Sequence, residues 1–140
     1  MDGKEFSSEQ VTDGVRIRAT PGYLPDQSDP GEPRYVFGYH IDVSNETSTG
    51  IQILSRRWRI IEGDGDSHEV VGEGVVGLQP HIAPGESFHY GSFCPLRTEW
   101  GTMEGEYLAR WDDGRRVELK IARFYLAIPR EPNASSPPPE

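Results

Sequence analysis

Between Arg34 and Val43 the chain reads RYVFGYHIDV, and large apolar side chains fall on every second residue: Tyr35, Phe37, Tyr39, Ile41 and Val43. A period of two lines all five up on one face of a β-strand, whereas a helix would scatter them around its circumference. Gly38, His40 and Asp42 take the other face, where Val36 is the one apolar member. At roughly 1.5–3 kcal/mol for each buried side chain, this strand dominates the energetics of any core the chain can build.

The flanking segments repeat the theme. VTDGVRIRAT sets Val15 and Ile17 against Arg16 and Arg18, the pattern of a half-buried edge strand. PGYLPDQSDPGEP carries four prolines in thirteen residues and reads as a surface loop. IQILSRRWRIIEG is a long strand of mixed phase: Leu54, Trp58 and Ile60 share one parity, and Ile51, Ile53 and Ile61 the other. Either both faces are partly covered or a bulge within SRR shifts the register. GDGDS turns into a short strand, HEVV. Phe88 and Tyr90 share a face in SFHYGSF, and Met103, Gly105, Tyr107, Ala109 and Trp111 align in the next strand. Asp112-Asp113-Gly114 makes a hairpin turn before Val117, Leu119 and Ile121.

About seven strands, sixteen glycines, twelve prolines and no convincing helix predict an all-β chain, a β-sandwich. Residues 11–129 form the domain. Residues 1–10 form a flexible lead-in, and 130–140 a disordered proline-rich tail with nothing to bury. With 23 acidic residues against 14 basic ones, the net charge of −9 repels a polyanion, so no nucleic-acid partner is expected. Cys94 is the only cysteine, which rules out an internal disulfide and a cysteine-based zinc site and fits a cytoplasmic location. MDGKEFSSEQ is no secretory signal, and no apolar run approaches the ~20 residues that span a bilayer.

The sharpest candidate for chemistry is GEGVVG at 72–77, which has G-x-G-x-x-G spacing. A dinucleotide site also needs a helix after the glycines, and Pro80 and Pro84 forbid one; no Lys-Ser/Thr follows to make a P-loop. Two readings remain. Gly72, Gly74 and Gly77 form a backbone nest for a phosphate, with Arg57 beside it, or they serve a bulge or tight turn.

Other candidates are weighed in the same way. His40, His68, His81 and His89 lack local metal-pair spacing, although His40 and His89 share an outer parity and meet if their strands are neighbours. They read as surface histidines, with no metal assigned. Cys94 in FCPL reads as a packed, unreactive thiol of raised pKa. Glu104 and Glu106 share an outward face, where solvent covers them, so no acid–base site is expected. Within SRRWR, Arg56 falls on the inward parity of Trp58 and needs a carboxylate or several carbonyls, an internal ion pair being the structural reading. Arg57 and Arg59 point outward and are candidates for an anion-facing or partner-facing patch. Trp100 is a candidate partner anchor, and Phe93 is expected to plug an end of the sandwich.

Taken together, YLPDQSDP at 23–30, RYVFGYHIDV at 34–43, ILSRRWRI at 53–60, EVVGEGVVGLQPHIAPGESFHYGSFCPL at 69–96 and GTMEGEY at 101–107 resemble the ApaG family. The resemblance implies an immunoglobulin- or fibronectin type III-like β-sandwich. The family occurs as small bacterial proteins and as a module of larger eukaryotic ones, among them an F-box ubiquitin-ligase subunit and a DNA-polymerase-interacting protein. Those settings imply protein–protein contact. The family also carries a label linking it to cobalt and magnesium tolerance, and its glycine motif has prompted suggestions of pyrophosphate or nucleotide binding. It supplies no catalytic residues to transfer. The reading is therefore a non-catalytic binding module with a protein partner and no cofactor. A phosphate or nucleotide sensor using Gly72, Gly74, Gly77 and Arg57 is the alternative, and a metal-dependent phosphohydrolase the third.

Overall fold

A computed structural model describes residues 6–29 and 31–129. The expected tail lies outside the described residues, as do residues 1–5 of the lead-in. The described chain contains nine strands: β1 (Ser8–Thr12), β2 (Val15–Tyr23), β3 (Tyr35–Asn45), β4 (Ile51–Glu62), β5 (Ser67–Glu73), β6 (His81–Ile82), β7 (Ser87–Leu96), β8 (Trp100–Trp111) and β9 (Arg116–Ala127). One sheet has the order β1-β2-β3-β7; the other has β5-β4-β8-β9, with β6 pairing the start of β4. All pairings between these strands are antiparallel. The two sheets make a β-sandwich.

The inner faces supply the core. Phe37, Ile41 and Val43 of β3 meet Trp58 and Ile60 of β4, Met103, Tyr107 and Ala109 of β8, and Leu119 and Phe124 of β9. Trp58 is the hub: its ring meets Tyr39, Phe124 and Tyr107 edge-on, with centroids 5.5, 5.9 and 6.3 Å away. Such geometry sets ring edges against ring faces and adds to the burial term.

Two bulges account for the phases that alternation alone leaves unresolved. Pairing between β4 and β8 shifts between Ile53 and Ser55, so burial passes from Ile51 and Ile53 to Trp58 and Ile60. The shift falls at Leu54, just ahead of the SRR where a bulge was one option. A second shift, between Met103 and Gly105 in the β8–β9 pairing, moves the buried phase of β9 from Leu119 and Ile121 to Phe124 and Leu126.

Three expectations change. β2 is an interior strand, because β1 pairs along it from Ser8 to Thr12, the first three residues of β1 falling in the stretch expected to lead in. The count rises from about seven strands to nine, since β1 is polar in pattern and β6 has only two residues. Val36, on the outer face of β3, is fully buried: residues 24–28 fold back onto it, with Leu24 N–H donating to the Val36 carbonyl at 2.9 Å and Val36 N–H donating to Ser28 Oγ at 2.8 Å.

Along one flank the two sheets are stitched together. Ser8 Oγ donates to the Ala122 carbonyl at 2.7 Å, and Lys120 N–H donates to Thr12 Oγ1 at 3.1 Å, tying β1 to β9. The opposite flank, where β7 and β5 end their sheets, has no such seam among the described residues.

Candidate functional site

On that open flank a cleft of about 300 Å³ lies between the edges of β5 and β7. Trp58, Tyr39, Cys94 and Met103 line its apolar part, with Val70 on the β5 side and Phe93 on the β7 side. Arg56 brings a cation and Ser92 a hydroxyl. Alternation on β4 and β7 explains the placement: Trp58 and Cys94 point inward, whereas Phe93, on the opposite parity, points out.

The electrostatics favour neutral groups. Burial pushes the Cys94 thiol up to about 12, reinforced by the nearby Glu62 carboxylate. At neutral pH it is a protonated, 5% exposed side chain and a poor nucleophile. Burial also raises the Tyr39 phenol, against the opposing effect of its hydrogen bond with Ser92. The cleft is thus a mostly apolar slot with a few hydrogen-bonding groups, bordered by two strands that each lack a neighbour on one side.

The predicted site residues fall in three places. Gly72 is in β5, and the glycine loop that follows is a tight reversal: Gly74, Val76 and Gly77 all have positive φ, at +67°, +42° and +80°. Gly74 N–H donates to the Leu54 carbonyl, and Val75 and Leu78 exchange N–H···O bonds of 2.7 and 2.9 Å. No helix follows, and Val75 is sunk in the core. Three of the loop's amides are therefore already engaged by backbone carbonyls.

Arg57 and Arg59 lie on β4, on the outer face of the same sheet as β5, in a ladder of ion pairs. Arg57 bonds Glu106 at 3.1 Å, and Arg59 bonds Glu104 at 3.2 Å. Arg123 also bonds Glu104, at 2.6 Å. Glu104 and Glu106 are thus not simply solvated: the Glu106 side chain is only 12% exposed beneath its cationic neighbours. Trp100 sits at one end of the sandwich, half-exposed, with its indole against Gly63.

Two single-residue expectations are corrected. Among the described residues Arg56 makes no ion pair; its Nη1 donates to the carbonyls of Glu73 and Gly74 at 3.2 and 3.0 Å, the carbonyl option open to a half-buried arginine. Phe93 plugs nothing. It is 58% exposed on the β7 edge, because the strand alternation that turns Cys94 inward turns Phe93 out.

Among the histidines, His68 lines the cleft and His81 bonds Asp112 at 2.8 Å. His40 and His89 do come together, since β3 and β7 are neighbours. Sequence reasoning missed the cleft itself. Its walls come from strands far apart in the chain, and only the sheet order brings β5 and β7 to one flank.

The model of the ApaG domain matches residues 25–110, more than half of the chain. The chain belongs to the ApaG family. It is 43% identical over 122 residues to the ApaG protein of Anaeromyxobacter dehalogenans, covering 87% of this chain and 96% of that one. The ApaG protein of Brucella abortus is likewise 43% identical over 121 residues, covering 86% and 93%. A solved structure named as an ApaA protein of Bordetella pertussis superposes with a TM-score of 0.81 at 46% identity, covering 84% of this chain and 95% of that one. The two-sheet arrangement described above is thus an ApaG-family sandwich, and the matched segment includes both cleft edges and the glycine loop.

Proposed function

We propose that this ApaG-family sandwich is a non-catalytic binding module that takes an extended segment of another protein along its open flank, in the cytoplasm. The observation that carries the reading is the pairing of two free strand edges, β5 and β7, around one apolar slot. β5, SHEVVGE, has neither the lysine nor the proline that commonly guards an edge, and its Val71 is 67% exposed. Adding a strand there supplies main-chain hydrogen bonds, and an apolar side chain of the incoming segment fills the slot beside Trp58. Val70, Val71 and Phe93 give that segment an apolar border. The buried, protonated Cys94 supports a role without covalent chemistry. Its free thiol suits a reducing compartment.

A photo-reactive residue placed at Val71 tests the proposal, with a second at Arg116 on the far side of the same sheet as control. The expected result is a stoichiometric protein adduct from position 71, weak or absent at 116, and lost when Val70 and Phe93 are both replaced by lysine. Equal labelling at both positions, or recovery of small phosphates alone, would overturn it.

A further inference from the structure

Outside the cleft, on the exposed face of the first sheet, two imidazoles and a carboxylate converge. His40 and Asp42 are two residues apart on β3 and so project from the same face; His89 stands directly opposite Asp42 on β7. His40 Nε2 lies 3.6 Å and His89 Nδ1 3.2 Å from the same oxygen, Oδ1 of Asp42. One ligand atom from each of the three residues lies within 4.8 Å of the other two. A tetrahedral first-row ion with bonds of about 2.0–2.1 Å needs donors about 3.3 Å apart, so two of the three separations already approximate an edge of that polyhedron.

From this geometry we infer that His40, Asp42 and His89 form a binding site for a first-row divalent transition-metal ion, of which zinc is the representative. Imidazole nitrogen with one carboxylate oxygen is a donor set for zinc, cobalt or nickel, while magnesium and calcium prefer oxygen alone. Three protein ligands leave a fourth position for water or a donor from outside.

The surroundings favour an ion. Residue 91, directly across from His40, is glycine, so the β7 side chain that approaches that imidazole is His89 itself. On the other side Arg18 stands opposite Asp42, where it could neutralise the carboxylate, yet it bonds Glu9 at 2.9 Å instead. Asp42 is left facing the two histidines. All three side chains are at least one-third exposed, so the rotations that close the triangle displace no core atom.

The test is titration of the full chain with zinc chloride by calorimetry, repeated with cobalt chloride, whose visible absorption reports ligand number and geometry. Wild-type protein and a H68A/H81A control are expected to take up one equivalent alike. H40A/H89A should lose affinity at least about tenfold, the lower end of what even an outer-shell partner contributes to a metal site. D42N should weaken binding and alter the cobalt spectrum, with the unfolding midpoint unchanged. Equal affinity in wild type and H40A/H89A, binding abolished by H68A/H81A, or no uptake by wild type at millimolar zinc would each overturn the assignment. Loss of binding in H40A/H89A leaves the open-flank reading untouched, because the triad lies on an outer sheet face and lines no part of the cleft, whereas loss in H68A/H81A would place the ion elsewhere, His68 being a cleft residue.

Discussion

The guanidinium of Arg56 lies across the backbone of Gly72, close enough that a methyl group on residue 72 would sit 2.8 Å from both of its terminal nitrogens. The same guanidinium holds the carbonyls of Glu73 and Gly74, so the first glycine of the motif is a seat for an arginine. Gly72→Ala moves the far end of a flexible side chain and loses those bonds, at about 1 kcal/mol. Gly74→Ala meets a harder obstacle: φ is +67°, and the new methyl would strike the Leu78 carbonyl oxygen. That variant should lose more than about 2 kcal/mol. Urea unfolding of both variants checks the order, and a larger loss for Gly72→Ala would contradict it.

Tyr90 and Tyr107 share a short hydroxyl–hydroxyl bond across the core, bridging the two sheets. Tyr107→Phe leaves the half-buried Tyr90 hydroxyl without that partner and should cost about 1–3 kcal/mol. Removing both hydroxyls leaves nothing unpaired, so Tyr90→Phe/Tyr107→Phe should be more stable than Tyr107→Phe alone. A double-mutant cycle in urea measures the coupling.

Cys94 gives a pH signature. Its thiol is pushed from an ordinary 9.0 up to about 12 by burial, so the unfolded chain ionises first. The contribution is intact below pH about 9 and is lost as the pH climbs toward about 12, because the unfolded state releases the proton that the native state retains. One proton gives a slope of at most about 1.4 kcal/mol per pH unit. Between pH about 9 and 10, before tyrosines add to the fall, Cys94→Ala should flatten the curve of stability against pH. Thiol alkylation of native wild type should stay slow until urea unfolds it.

Phosphate ligands should leave the glycine loop untouched. Gly74, Val75 and Leu78 already spend their amides on carbonyls, and Arg57 is engaged by Glu106. Titrating pyrophosphate and ATP to millimolar concentration while following amide NMR shifts is expected to move no signal from residues 72 to 78. A saturable shift confined to that loop, weakened by Arg57→Ala, would restore the sensor reading.

The strands were legible where one face is buried and the other wet. β3 and β8 read directly from Phe37, Ile41 and Val43 and from Met103, Tyr107 and Trp111, because alternation there runs unbroken. Legibility failed at the bulges, where one extra residue inverts the phase. Phe124 and Leu126, both buried, sit on a parity that Leu119 and Ile121 do not announce. It failed again for β1, whose exposed SEQVT has no apolar period and is held by main-chain pairing with β2 and two hydroxyl bonds to β9. The meeting of His40 with His89 was conditional on sheet order, which side-chain parity within one strand does not carry.

Sewing β1 to β9 along a single flank also limits how copies of the molecule can grow on one another. An all-β particle with bare margins on both sides can add neighbours without end, as fibrils do. Here the β1–β9 margin is closed by its hydroxyl bonds, so strand addition is confined to the flank that β5 and β7 border. Closing that flank narrows the ways in which copies can stack edge to edge.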